Sequence, residues 1–286
     1  MPAMPILTKL VIYPIKSCGG IALQEALITE SGLSNEGVHD REWMVVDAEG
    51  RFITQRSFPK MALIKPLIKA DMLELSMSGM PPLEIPIAMP SRDTAHTIDV
   101  QVWNDCVNAY DCGEGCAQWF SQAMETPCRL VRFHEDAKRI ANPKWTAGIE
   151  ASNLFSDGYP ILIISEASLE DLNQKLRQQD RAALPMDRFR PNIVIAGVDA
   201  FEEDYAAGIR IGQTLLRPVK PCPRCPIPSI DQETGLIGPD PLDILRTYRV
   251  NPKVNGGITF GMNAVVEGGA GVRLRVGQNV EVTLDF

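Results

Sequence analysis

Short apolar runs, some alternating with polar residues and some continuous, recur along the chain between glycines and prolines, and they predict strands rather than long helices. Residues 6–13 alternate and then meet Pro14, which reads as a strand ending in a turn. Residues 42–47 and 52–55 flank Ala48-Glu49-Gly50-Arg51 as a β-hairpin. Further short strands are expected near 62–68, 73–77 and 101–110, with a turn at Met80-Pro81-Pro82. Helical character first emerges over 115–124, followed by a strand at 128–133 and a long polar connection over 135–157. Ile161-Leu162-Ile163-Ile164 and Asn192-Ile193-Val194-Ile195-Ala196 predict buried strands. Between them Leu169, Leu172 and Leu176 share one helical face, with Ser165 or Ser168 placed to cap it. Residues 209–219 read as a hairpin. Asp240 is placed to cap a helix with Pro241 at its first position. Residues 272–284 predict a closing hairpin that turns at Gly277-Gln278-Asn279.

This pattern is α+β, mainly β, and not a regular βαβα alternation. The chain of 286 residues suits two domains, and the break at Thr126-Pro127 divides it into 4–126 and 127–286. Hydrophobic residues at 45% and charged residues at 22% describe a globular protein and exclude disorder. A net charge of −8 without a basic stripe excludes a nucleic acid polymer as partner. No apolar stretch is long enough to span a membrane, and Lys9, Pro14 and Lys16 interrupt any secretory pattern at the amino terminus. Seven cysteines, an odd number, read as reduced thiols of a cytoplasmic protein.

Chemistry narrows to a few residues. His39, His96 and His134 are scattered and support neither a histidine metal site nor a triad. The glycine loops at Cys112-Gly113-Glu114-Gly115-Cys116 and Gly268-Gly269-Ala270-Gly271 read as turns. Cys222-Pro223-Arg224-Cys225 leaves several readings open: half of a zinc site completed by Cys112 and Cys116, a thioredoxin-like pair, an inert buried thiol, or a single thiolate at Cys225. In the last reading, Arg224 beside the sulfur favours the anion, which suits a soft metal ligand or a nucleophile. Lys16, Arg41, Arg190 and Arg224 stand near strand ends. They are either solvated edges or, if the fold gathers them, an anion pocket.

Several segments, in order, resemble the MOSC family of molybdenum-cofactor proteins, close to the amidoxime-reducing components and the bacterial YcbX-type proteins. They are Tyr13-Pro14-Ile15-Lys16-Ser17-Cys18, Asp40-Arg41-Glu42-Trp43, Asp111-Cys112-Gly113-Glu114, Ser165-Glu166-Ala167-Ser168-Leu169, Arg188-Phe189-Arg190-Pro191-Asn192-Ile193-Val194, and Arg224-Cys225-Pro226 with Asp231-Gln232-Glu233-Thr234-Gly235. The resemblance implies a MOSC β-barrel domain behind an amino-terminal MOSC-associated α/β domain, with a molybdenum cofactor of the molybdopterin type between them. It implies that Cys225 is the metal ligand and catalytic residue, and that Lys16, Ser17, Arg41, Arg190, Asn192 and Arg224 hold the pterin and its phosphate. Gly158-Tyr159 replaces a Thr-Ser pair, Asn263 replaces a Tyr, and Pro223 replaces a Ser. Gly158, Tyr159 and Asn263 are therefore altered cofactor-binding positions. The implied activity is reduction of small N-hydroxylated compounds with electrons from a separate ferredoxin-, flavodoxin- or cytochrome-type protein and its reductase. An alternative is a carrier of the cofactor or of sulfur without turnover. No cysteine follows Cys225, so an iron–sulfur cluster is not expected in this chain.

Overall fold

The computed structural model describes residues 4–93, 95–239 and 241–285. It is mainly β. Its largest sheet has nine strands, eight of them in the order Ile21–Leu23, Ile6–Ile12, Ile193–Ala196, Ile161–Ser165, Gly257–Gly268, Thr214–Pro223, Ala206–Ile211 and Val280–Leu284. Val250–Asn251 adds to the side of Gly257–Gly268. Ile161–Ser165 and Ile193–Ala196 pair in parallel, the one parallel contact in this sheet among the described residues. Parallel neighbours need a crossover, and the helix Glu166–Arg177 supplies it. Ser165 caps that helix by accepting the Ser168 N–H at 3.0 Å, and Leu172 and Leu176 pack under it with Phe189 and Phe260.

Three smaller sheets complete the fold. Thr97–Val102, Asp105–Asp111, Arg129–Phe133 and Trp43–Val46 form one. Arg273–Arg275, Glu25–Thr29, Gly32–Asn35 and Val38–His39 form another, and Lys65–Lys69, Met72–Ser76 and Leu83–Pro86 the third. The break at Thr126-Pro127 follows the helix Gly113–Met124, but strand pairing runs across it. Arg129–Phe133 completes the sheet of Trp43–Val46, and Ile6–Ile12 lies in the largest sheet beside Ile193–Ala196.

Several local expectations change. Residues 101–110 are not one strand: Val102 pairs with Asp105, so Trp103-Asn104 is a two-residue turn inside a hairpin. The hairpin around Ala48-Glu49-Gly50-Arg51 forms, with Asp47 N–H donating to Arg51 O at 2.9 Å and Ile53 N–H to Val45 O at 3.0 Å, and on its other side the 50–52 segment also meets Gln101. A 3₁₀ turn, Pro59–Leu63, precedes the strand expected from residue 62. The polar connection contains a short helix, Pro143–Thr146, capped by Asn142. Pro241 stands at the cap of Leu242–Arg246 and not at its first helical position, and Asp240 lies outside the described residues. The chain does turn at Gly277, but its two limbs join different sheets: Arg273–Arg275 pairs with Glu25–Thr29 and Val280–Leu284 with Ala206–Ile211. Turn residues report where a chain reverses, whereas the free edges available decide what each limb pairs with.

The pairing also places chain ends together. Leu10 sits opposite Ile193, Ile163 beside Ile193, Leu162 opposite Asn263, and Asn263 opposite Lys220. Segments following Ile12 and preceding Ile161 and Ile193 therefore emerge at the same end of the large sheet, and Cys222 to Cys225, reached by the strand that passes Asn263 at Lys220, line the same cleft. Arg41 joins them because its N–H donates to Tyr13 O at 2.8 Å.

Candidate active site

At that end a cleft forms, and all ten residues singled out for the site line it: Lys16, Ser17, Arg41, Gly158, Tyr159, Arg190, Asn192, Arg224, Cys225 and Asn263. Five cations (Lys16, Arg41, Arg56, Arg190, Arg224) face the cleft against one carboxylate, Asp157. A strongly positive cavity thus sits within a protein of net charge −8. None of the three histidines lines it. Three of the cleft residues hold left-handed backbone without being glycine: Ser17 at φ 70°, Arg41 at φ 50° and Arg190 at φ 56°. Such conformations are costly and persist where surrounding contacts enforce them.

The cations differ in how well they are paired. Lys16 Nζ donates to Asp157 Oδ1 at 2.5 Å and to Phe155 O at 2.8 Å. Burial pushes the Lys16 pKa down, with Asp157 acting against it. Desolvation would raise the Asp157 carboxyl, but the charge of Lys16 and hydrogen bonds from Lys16 and Trp103 hold it well below the carboxylate range. Arg41 Nη1 donates to Asp40 Oδ2 at 2.5 Å and to Asn192 Oδ1 at 3.1 Å. Burial opposes the charge on Arg41, and Asp40 more than restores it, raising the pKa. Asn192 is itself fixed, accepting the Leu162 N–H at 3.1 Å and donating to Val11 O at 3.2 Å.

Arg190 and Arg224 are the under-paired cations. The guanidinium groups of Arg41 and Arg190 lie 4.4 and 4.1 Å from the centre of the Tyr13 ring. Arg190 otherwise has one long bond, Nη1 to Gln232 Oε1 at 3.4 Å, and its Nη2 is buried without a partner. Burial lowers the Arg190 pKa, and the neighbouring Arg41 adds to that. Arg224 donates from Nη2 to Phe189 O at 2.9 Å, while its Nε is buried without a partner. The backbone N–H groups of Gly158 and Tyr159 make no hydrogen bond within the described residues, and a Cβ at Gly158 would meet nothing within 4 Å. Buried donors without acceptors are costly, so these groups are suited to an incoming anion.

The thiols show one difference from expectation. Arg224 does not turn toward Cys225; its Nη1 points at Cys222 Sγ, 3.3 Å away. The backbone runs from the strand Thr214–Pro223 into the turn at Ile227–Ser229, which leaves the Arg224 side chain on the Cys222 side. Cys225 is a free, half-buried thiol in the cleft. Among the described residues no group of three or more His, Cys, Asp or Glu is placed to share a metal ion, so Cys112 and Cys116 do not complete a zinc site with Cys222 and Cys225.

Sequence reasoning missed Asp157, Arg56, Trp103 and the Gln55–Gln232 pair. Gln55 Nε2 donates to Ser17 O at 2.7 Å and to Gln232 Oε1 at 3.1 Å, which braces the Ser17 loop against Arg190. Asp40 and Tyr13 adjoin Arg41 and Lys16 in sequence, and that adjacency was the available signal. Trp103 and Asp157 carried none, since they meet across 54 residues.

A cationic cleft lined by two free thiols, Cys222 and Cys225, lies where two segments of this mainly β chain meet. Residues 4–127 match the MOSC N-terminal beta barrel domain and residues 150–281 match the MOSC domain. The chain belongs to the family of the amidoxime-reducing components. It is 37% identical over 249 residues to mitochondrial amidoxime reducing component 2 of Rattus norvegicus, covering 85% of this chain and 72% of that protein. It is 37% identical over 246 residues to component 1 of Homo sapiens, covering 84% and 71%. Component 1 of Danio rerio matches at 30% over 256 residues, covering 87% and 76%.

Proposed function

We propose that this protein is a molybdenum-cofactor-dependent reductase of N-hydroxylated compounds such as amidoximes and hydroxylamines. The observation that carries the reading is the pair of buried, partnerless guanidinium nitrogens, Arg190 Nη2 and Arg224 Nε, in one cleft with the free thiol of Cys225. A soft sulfur donor in one cleft with under-paired cations fits a molybdenum centre borne on an anionic organic scaffold. When bound, the cofactor supplies the two-electron chemistry, taking an N–OH group to N–H with two protons and release of water.

The chain's residues bind and position. Cys225 offers the metal its sulfur ligand. Arg190, Arg224 and the Gly158 and Tyr159 N–H groups receive the phosphate, with Arg41, Asn192, Ser17 and Asn263 along the pterin. Arg41 is held in place by Asp40, and Lys16 by Asp157. Asp157 stays deprotonated and accepts hydrogen bonds, so it does not deliver the protons. Electrons come from a separate donor of the ferredoxin, flavodoxin or cytochrome type. The seven unpaired thiols support a cytoplasmic setting.

The test compares wild type with Cys225→Ser, both made in cofactor-competent cells. Expected are molybdenum in the wild type, reduction of a model amidoxime with an artificial reductant, and loss of turnover in the folded variant. Turnover that survives the substitution would remove Cys225 from the reading. A molybdenum-loaded wild type that stays inert would favour a carrier.

A further inference from the structure

We propose that Trp103 and Arg56 form a recognition platform beside the cleft for the flat aromatic part of an N-hydroxylated substrate. This rests on the reductase reading and adds the place and chemistry of substrate selection. The first observation is conformational. Trp103 holds φ 56° at the first central position of its two-residue turn, where a type II′ turn favours glycine. A bulky residue is poorly suited to that backbone, so the turn does not account for the indole.

The second observation is how the indole is held. Its Nε1–H donates to Asp157 Oδ1 at 3.2 Å, and the Phe52 ring packs against it at 5.0 Å between centroids. The Arg56 guanidinium lies 4.5 Å from its ring centre. Trp103 is nevertheless 38% exposed. Arg56 makes no ion pair among the described residues, so its charge is available to a ligand.

The third observation is continuity. An open groove of about 530 Å³ runs between Phe52, Phe58 and Trp103, and Thr54 and Arg56 line both this groove and the cofactor cleft. A ligand ring in the groove stacks on aromatic and guanidinium faces, with its N–OH group toward the cleft. The unpaired charge of Arg56 disfavours a cationic substrate, whereas a neutral N-hydroxyamidine or one bearing a carboxylate is accepted. The platform therefore favours aromatic, neutral or anionic N-hydroxylated compounds over small aliphatic or cationic ones.

The experiment measures kcat/KM for benzamidoxime and for acetamidoxime in wild type, Trp103→Gly, Trp103→Phe and Arg56→Gln, with an artificial reductant. The ratio of the two constants does not depend on cofactor loading, because both substrates meet the same enzyme. Trp103→Gly and Arg56→Gln should lower the aromatic preference roughly three- to ten-fold, mainly through KM, and Trp103→Phe should lower it less. Trp103→Gly suits the turn and Trp103→Phe keeps a ring, so a folding defect in one leaves the other to report. A ratio unchanged within about two-fold in every folded variant overturns the platform. If wild type reduces neither compound, the reductase reading fails, and tryptophan fluorescence then decides the platform alone. Benzamidoxime must quench wild-type emission saturably and lose that effect in Trp103→Phe; equal quenching in both, or none, overturns it.

Discussion

Arg190→Met should make the cofactor-free protein more stable while removing its affinity for the anion. Arg190 is 8% exposed, so its charge bears a desolvation cost of several kcal/mol. Against this it keeps one 3.4 Å hydrogen bond to Gln232 and the contact with Tyr13 at 4.1 Å. A hydrogen bond from a charged group contributes about 1.5–3 kcal/mol at good geometry, and a long one less. The cation–π contact contributes about 0.5–2 kcal/mol. The buried Nη2 without an acceptor costs about 1–3 kcal/mol on its own, and Arg41 nearby adds repulsion. Methionine keeps the unbranched stem and adapts to irregular space, and it meets the same φ of 56° that arginine does. The balance is a gain of about 1–3 kcal/mol, or roughly 2–10 °C in melting temperature. The assay is thermal unfolding of cofactor-free wild type and variant, repeated with inorganic phosphate as the anion. Phosphate should raise the melting temperature of wild type and leave Arg190→Met unmoved. A variant that melts below wild type without anion, or that is stabilised by phosphate equally, refutes the account of Arg190 as an under-paired binding cation.

Two further outcomes follow from the packing. Burial pushes the Cys18 thiol from 9.0 up to about 12 and Tyr13 from 10.0 up to about 12, with Arg190 opposing both shifts. Because the folded state binds these two protons more tightly than the unfolded chain, their stabilising contribution is complete below pH 9 and is lost as pH rises toward 12. Melting temperature should therefore fall through that window, and Cys18→Ala should remove part of the slope. A flat profile above pH 9 would contradict the burial of both groups. Gly261 lies behind the cleft at φ 78°, and a Cβ there would come within 2.6 Å of Ile164 Cγ1 and 2.9 Å of Ile163 O. Gly261→Ala should cost at least about 2 kcal/mol and lower the melting temperature by roughly 4 °C or more, read by calorimetry; an unchanged melt would contradict the close strand approach.

What the residues determined alone, and what needed the folded chain, divide along a physical line. Continuous apolar runs at Ile161–Ser165 and Ile193–Ala196 announced buried strands, because they are short, rich in β-branched residues and bounded by glycine or proline. The motifs carrying Lys16, Arg41, Arg190 and Cys225 were legible as a family resemblance, whereas their residue types alone left solvated edges or an anion pocket, and several roles for the cysteine, open. Other features depend on partners far away along the chain. The hairpin strand at Arg51 and Phe52 also meets Gln101 on its free side, and the limbs after Arg273 and before Leu284 go to separate sheets, because edge pairing is settled by which edges remain free. Arg224 faces Cys222 although Cys225 is its neighbour in sequence, since side-chain direction follows the path of the backbone and not adjacency. Trp103 and Asp157 came to light only in three dimensions. Periodicity and motif report what a residue's neighbours require of it, while the pairing of cations, the donors left without acceptors and the meeting of distant loops arise from long-range packing, which has no local signature.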